Sequence, residues 1–269
     1  RAGLSMGGGP ELLVHLSAIA GEAGSPGFSR TLRVITPETR QLIEPDSEWF
    51  AEHGTAGMLA LLGDDLNDTR TISGRLREAL PPAPPQPHET VGSRLTFVEA
   101  RASGAVALCR VKEGESEVSG ECRVCHSEKS AVRILEGGFL EPATLLVVGG
   151  CGPRGGPGLA RLERLSRTLQ EDGLTESVQV ITDGLPPRSA SGTWISLFSP
   201  EAATGGVIAR LRDRDPLRIS FDEGRIRTGV RASEFDGRDL REFPDRDGPG
   251  YADRYARTAL PALEGAGFR

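Results

Sequence analysis

Apolar positions in the first third of the chain recur mainly at helical spacing. Leu12, Leu13, Leu16, Ile19 and Ala20 fall on one face behind Pro10, which suits a first helical turn, and predict a helix over 10–23 that Gly24 to Gly27 ends. Leu32 to Ile35 reads as a short strand, followed by Thr36 as an N-cap with Pro37 and Glu38 opening a helix. Trp49 to Leu62 is amphipathic again, although Gly54 and Gly57 each cost a helix about 1 kcal/mol. His53, between those glycines, reads as a surface or packing histidine. Residues 81–87, Pro-Pro-Ala-Pro-Pro-Gln-Pro, admit neither helix nor central strand and predict an extended linker.

Beyond the linker the pattern shortens. Runs of β type at Arg94–Glu99, Val106–Val111 and Arg123–Val124 precede a helix from Ser127 to Glu136. An apolar run, Leu145 to Val148, passes into a glycine-rich loop, Gly149 to Gly158, and then a helix with leucines at 159, 162, 165 and 169. A second apolar strand, Val178 to Ile181, leads into Thr182-Asp183-Gly184, so two loops leave strand ends near one another. Gly206–Leu211 and Leu217–Phe221 read as the last strands, with Asp213 to Pro216 as the turn between them. Residues 251–263 predict a final helix that packs back on the body. The sum is a mixed α/β (α+β) chain with a barrel or sandwich-like domain after the linker.

Composition narrows the classes. A hydrophobic share of 37% with 35 glycines and 19 prolines in 269 residues is loop-rich, closer to a barrel or mixed α/β protein than to a helical bundle. A net charge of −6 and a pI near 5.4 argue against a nucleic-acid partner, which calls for a basic face. No apolar run reaches the 18 or so residues of a spanning helix, and the start does not resemble a signal peptide, so a cytoplasmic protein without a membrane partner is expected. The chain begins at Arg1 within what reads as a structural segment, and its natural start is expected to lie upstream.

Two stretches suggest chemistry. Cys122-Arg123-Val124-Cys125-His126 matches the C-x-x-C-H pattern of covalent haem attachment. The same residues alternate like a strand, which would put Cys122 and Cys125 on opposite faces, as buried small hydrophobes rather than haem anchors. Cys109 and Cys151 have no partner at metal-ligand spacing. The glycine loop offers many backbone N–H groups to an anion such as a carboxylate or phosphate, with Arg154 as a bidentate partner; a purely structural turn fits it equally. The second loop supplies Asp183 with nearby serines and threonines, as metal ligand, base, or simple Asp-Gly turn.

Three motifs in order, Gly-Pro-Arg-Gly-Gly-Pro-Gly (152–158), Ile-Thr-Asp-Gly (181–184) and Ser-Pro-Glu-Ala-Ala-x-Gly-Gly (199–206), resemble the carboxy-terminal half of the dihydroxy-acid and phosphogluconate (sugar-acid) dehydratases. Gly7-Gly8, Val-His-Leu-x-Ala-Ile-Ala (14–20), the stretch Cys122 to Leu135 and Tyr251-Ala-x-Arg-Tyr-Ala-Arg257 extend the likeness over nearly the whole chain. The resemblance implies the end of an α/β domain over 1–80, a linker over 81–93, a swivelling-type β-barrel over 94–230 and an extension with a docking helix over 231–269. It also implies conversion of a 2,3-dihydroxy acid to a 2-keto acid, with an iron–sulfur cluster as Lewis acid, magnesium on the carboxylate and C2 hydroxyl, and a serine as base.

This sequence departs from that pattern at the positions that matter. The serine base is expected three residues beyond Gly184, where Pro187 stands; Ser189 or Ser191 would have to replace it. The magnesium-binding glutamate is expected at Arg161, and Glu163 lies about 200° further around a helix. The family's Ser-Thr-Asn run is here Gly9-Pro10-Glu11, and no cysteine falls on a cluster position. The expectation is a dehydratase-family chain that holds no cofactor by itself and is inactive in isolation. Arg154, Gly155, Gly156, Gly158, Asp183 and Gly184 are then the candidate substrate-binding residues. A small carboxylate or sugar acid is the expected partner, with a homodimer or an absent amino-terminal half as the protein partner. A non-catalytic anion-binding module and one subunit of a two-chain dehydratase are the alternatives.

Overall fold

The structure, a computed structural model, describes residues 1–25, 27–39, 41–42, 48–63, 66–86, 93–138, 140, 143–156, 158–242 and 250–268. Four helices come first: α1 (Ala2–Ser5), α2 (Pro10–Glu22), α3 (Phe28–Glu38) and α4 (Glu48–Leu62). In α2, Pro10 takes the first helical position behind Gly9, and Glu11 lies in the first turn, where a carboxylate meets the positive end of the helix dipole. The strand expected at Leu32–Ile35 is instead the middle of α3. Leu32 and Thr36, one turn apart, are its buried residues, so burial on a 3.6-residue period overrides the β preference of Val34, Ile35 and Thr36, and Thr36 is no cap. Gly54 breaks α4 into two segments with φ 59° and ψ −164°, a conformation that favours glycine. His53 packs edge-on against Trp49 at 4.8 Å between ring centroids.

A small hairpin of β1 (Arg70–Thr71) and β2 (Gly74–Arg75) and a one-turn helix, α5 (Leu76–Ala79), lead to the proline-rich stretch. Residues 81–86 have no regular secondary structure, and Trp49 Nε1 donates to the Pro85 carbonyl at 2.8 Å. Residues 87–92 of the expected linker lie outside the described residues, and Ser93, its last residue, already belongs to a strand.

The barrel follows, built from β3 (Ser93–Ala100), β4 (Ala105–Lys112), β5 (Glu117–Cys125), β6 (Thr144–Val148), β7 (Gln179–Thr182), β8 (Trp194–Ser199), β9 (Pro216–Ser220) and β10 (Arg225–Thr228). The strands close in the order β10-β3-β4-β8-β7-β6-β5-β9. β5, β6, β7 and β8 run parallel; helix α6 (Glu128–Glu136) crosses over from β5 to β6 and α7 (Glu163–Glu171) from β6 to β7, while a loop joins β7 to β8. The remaining pairs are antiparallel except β10 with β3. Two short helices, α8 (Ala232–Asp236) and α9 (Tyr251–Thr258), complete the chain.

Alternation sorts each strand between two cores. Leu145 and Val147 of β6 join the barrel interior, while Leu146 and Val148 join the layer formed with α6 and α7. Cys122 and Cys125 divide in the same way, on opposite faces of β5. A third cluster ties Leu13 and Leu32 of the helices to Leu95, Val106 and Leu108 of the barrel.

Other boundaries moved. The run 206–211 forms no strand: Val207–Arg210 is a 3-10 turn, because the chain doubles back at Gly206, where an added Cβ would lie 1.9 Å from the Pro200 carbonyl oxygen. Leu159 to Leu162 is not helical either. Arg161 pairs with Leu185 in a parallel bridge, and α7 begins only at Glu163, so a helical angle does not relate those two residues. β8 and β10 are strands without a sequence expectation. The extension docks through the residues after α9: Ala259 pairs with Phe268, and Ala262 and Leu263 are buried in the cluster shared with Leu13 and Leu197.

Leu146 is fully buried in the layer formed with α6 and α7, so Leu146→Ala is expected to lower stability by about 2–5 kcal/mol in urea unfolding. Gly120→Ala is expected to cost about 1–3 kcal/mol, since its Cβ would meet the Ala143 carbonyl oxygen at 1.9 Å.

Candidate functional site

Parallel neighbours end side by side. Because β6, β7 and β8 are adjacent and parallel, the loops that follow Val148, Thr182 and Ser199 emerge from one end of the barrel. A bulge in β8 joins them further. Its register against β4 shifts between Val106 and Leu108, Leu197 takes φ 52°, and the Leu197 N–H donates to the Gly184 carbonyl at 3.1 Å. The first two loops are also bound to each other: Ala160 N–H donates to the Cys151 carbonyl, Leu185 N–H to Ala160, and Leu162 N–H to Leu185.

Two buried carboxylates occupy the centre of this layer. Asp183 is fully buried; its Oδ1 accepts from Cys151 N–H at 2.8 Å, and its Oδ2 from Gly150 N–H at 3.2 Å and Ala202 N–H at 2.9 Å. Glu201 Oε2 accepts from Arg154 N–H at 2.9 Å and Gly155 N–H at 3.1 Å. Gly152 is needed for that approach, since a Cβ there would stand 2.3 Å from Glu201 Oε2. Burial pushes both carboxyls above their ordinary values, with the backbone N–H donors pulling the other way.

The candidate residues therefore converge, but on each other. The N–H groups of Gly150, Cys151, Arg154 and Gly155 are directed at the protein's own carboxylates. Gly156 N–H donates to the Gly152 carbonyl, Gly184 N–H to Thr182 Oγ1, and Gly158 lies beside the Tyr255 ring. Arg154 Nε donates to the Ala259 carbonyl at 3.0 Å, which ties the loop to the C-terminal extension. Glu201, quoted within a motif but assigned no role from sequence, is a principal organiser of this layer; its signal was a carboxylate in a motif bounded by Gly205-Gly206.

Open space lies beside this layer. A cleft of about 380 Å³ is bounded by Gly7 to Glu11 at the start of α2, by Gln41, Ser93 and Arg110, and by Pro186 to Ser189. Residues 187–190 form a turn closed by Ala190 N–H on the Pro187 carbonyl, with Arg188 and Ser189 exposed at its tip. Arg110 holds that turn by donating to the Ala190 carbonyl, and Gln170 Nε2 donates to the Ser189 carbonyl at 2.7 Å. Arg188 has no acid partner among the described residues. A second cleft of about 460 Å³ contains Arg161, His15 and Leu185, and Glu11 lines both. Pro187 thus lines the first cleft, Arg161 the second and Glu11 both, while Ser191 lies outside the lining of either cleft.

Among the described residues no group of three His, Cys, Asp or Glu side chains is placed to hold a metal ion. The four cysteines are buried as free thiols. Burial pushes Cys122 and Cys151 up to about 12 and Cys125 up to about 11, with Cys109 raised as well, so none is a ready thiolate. His126 is exposed beyond β5, and Cys122 and Cys125 face away from each other, which does not suit a haem clasp.

Residues 94–266 match the model of the dihydroxy-acid/6-phosphogluconate dehydratase C-terminal domain. The chain belongs to this dehydratase family. It is 30% identical to the dihydroxy-acid dehydratases of Pelobacter propionicus and Geobacter metallireducens over 99% of its own length, and 29% identical to that of Methanococcus maripaludis over 98%. It spans about half the length, 52%, of these relatives. The closed eight-stranded barrel is the structure of the family-matched region. No described helix is long and apolar enough to cross a membrane.

Asp183→Ala would strand three buried N–H groups and is expected to cost at least about 3 kcal/mol in urea unfolding. Glu201→Gln keeps an oxygen for both donors but removes the titration. An acid whose folded value is raised contributes stability that is complete below its ordinary value, here 4.5, and is lost as pH rises through the folded value. Glu201→Gln is therefore expected to gain stability relative to the parent as pH rises from about 4 to about 8, read as urea midpoints at each pH.

Proposed function

We propose that the chain forms the carboxy-terminal half of a dehydratase-family site, binds a hydroxy-acid carboxylate in the cleft between α2 and the 186–189 turn, and does not dehydrate it unaided. The observation behind this reading is the placement of Glu11, Pro187 and Arg161. These stand where the family pattern has part of a Ser-Thr-Asn run, a serine base and a magnesium-binding glutamate; Pro187 lines one cleft, Arg161 a second, and Glu11 both.

Each replacement removes a chemical role. Proline has no group that can take a proton from C2. A guanidinium at position 161 would repel a cation and attracts a carboxylate instead. Ser189 lines the cleft, but the cleft lining includes no histidine or lysine to activate it, and Glu11 is the sole carboxylate there among the described residues. What remains suits binding. Arg188 offers a bidentate fork to a carboxylate, and Gln41, Ser93 and Ser189 offer hydrogen bonds to hydroxyls.

The test is a titration of the chain with 2,3-dihydroxyisovalerate and gluconate, followed by amide chemical shifts and by assay for the 2-keto acid. Shifts at Gly7, Gln41, Ser93 and Ser189 without turnover are expected, and Arg188→Glu is expected to weaken binding about 10-fold, or ~1.4 kcal/mol. Pro187→Ser alone is expected to leave turnover absent, because Arg161 remains. Keto-acid formation by the parent chain would overturn the inactive assignment, and the absence of shifts at the cleft would overturn the binding site.

A further inference from the structure

The barrel closes on a single residue pair. β10 meets β3 only at Arg225 and Glu99, one residue before β3 ends, while β10 runs on to Thr228 with its other edge paired along its length to β9. A cavity of about 430 Å³ lies at this seam, lined by residues from the end of β3 and from β10. Its floor is the apolar end of the barrel interior. Leu211, Leu217, Ile226 and Phe235 line it and belong to the interior cluster, with Phe235 contributed by α8.

The charged residues that line this cavity are Arg101, Arg225, Arg227, Glu99 and Asp236. Arg101 and Arg225 line it, and neither has an acid partner among the described residues. Of the other charged groups there, Glu99 is paired with Arg33 at 3.5 Å and Arg227 with Glu223 at 2.7 Å, which leaves one carboxylate, Asp236, beside two guanidinium groups in the lining. An apolar floor accepts a hydrocarbon tail, and unpaired guanidinium groups accept a carboxylate. The volume falls within the usual range of small-ligand pockets, about 300–1,000 Å³.

We propose that the seam between β3 and β10 is a binding site for a monocarboxylate with a short apolar tail. It lies at the other end of β3 from the cleft, which Ser93 and Leu95 line, and does not rest on the function proposed for that cleft. A neutral tail alone would lack the charge contact, and an ammonium group would be repelled at the mouth.

The experiment is an amide chemical-shift titration of the full chain with hexanoate, acetate, hexan-1-ol and hexylammonium. Hexanoate is expected to shift Ala100 to Ser103, Arg225 to Val230 and Phe235, and to bind at least about 10-fold more tightly than the other three probes. Arg101→Glu, an exposed turn change, is expected to weaken hexanoate about 10-fold, and Val230→Trp, which fills the mouth, to abolish it with the circular dichroism spectrum unchanged. Failure of hexanoate to saturate, equal or tighter binding of hexylammonium, unchanged affinity in Arg101→Glu, or shifts confined to Gly7–Glu11 and Arg188–Ser189 would each overturn the proposal. Because the seam and cleft residues report separately, failure of one site is distinguishable from failure of the other.

Discussion

The arrangement of the site layer depends on two carboxylates that the protein turns inward. Asp183 gathers N–H groups from the loops after β6 and β8, and Glu201 gathers two more from the loop after β6. A buried carboxylate without such donors would cost several kcal/mol, and buried N–H groups without an acceptor would each cost about 1–3 kcal/mol. Each side of the interaction therefore requires the other. The three loops are held in one arrangement even though glycine supplies much of their backbone.

That constraint explains the division of roles around the site. Glycine at 152 and 206 allows backbone to approach a carboxylate or a carbonyl more closely than any side chain permits. With its N–H groups directed at internal acceptors, the glycine loop is a frame more than a receptor. Open space lies instead beside the neighbouring turn at 187–190 and the start of α2, where Arg188, Ser189 and Glu11 line a cleft. Asp183 and Glu201 hold the frame through their carboxylates, whereas the side chains of Arg161 and Pro187 take no part in those hydrogen bonds.

The same logic separates what was readable from what was not. Leu145 to Val148 and Val178 to Ile181 announced themselves as strands, and the glycine and Asp-Gly loops as neighbours, because continuous apolar runs bounded by turn residues are local signals. Leu32 to Ile35 misled because a short β-branched run inside an amphipathic helix looks like a strand until its burial pattern is known. Residues 206–211 misled because an apolar segment that plugs the end of a barrel is as buried as a strand. Glu201 and Arg188 were unremarkable in sequence, since their roles arise from loops that follow different strands.

The sequence by itself determined the class of fold, the family, the two central loops and the opposite faces of Cys122 and Cys125. These are properties of residue type, spacing and order, and they need no knowledge of distant neighbours. Only the tertiary structure decided that Asp183 points inward, that Pro187 lines one cleft, Arg161 a second and Glu11 both, and that the barrel closes through one pair at Arg225 and Glu99. Those outcomes depend on strand order and register, which bring together residues as far apart as Glu11 and Pro187, and no local pattern in the chain encodes them.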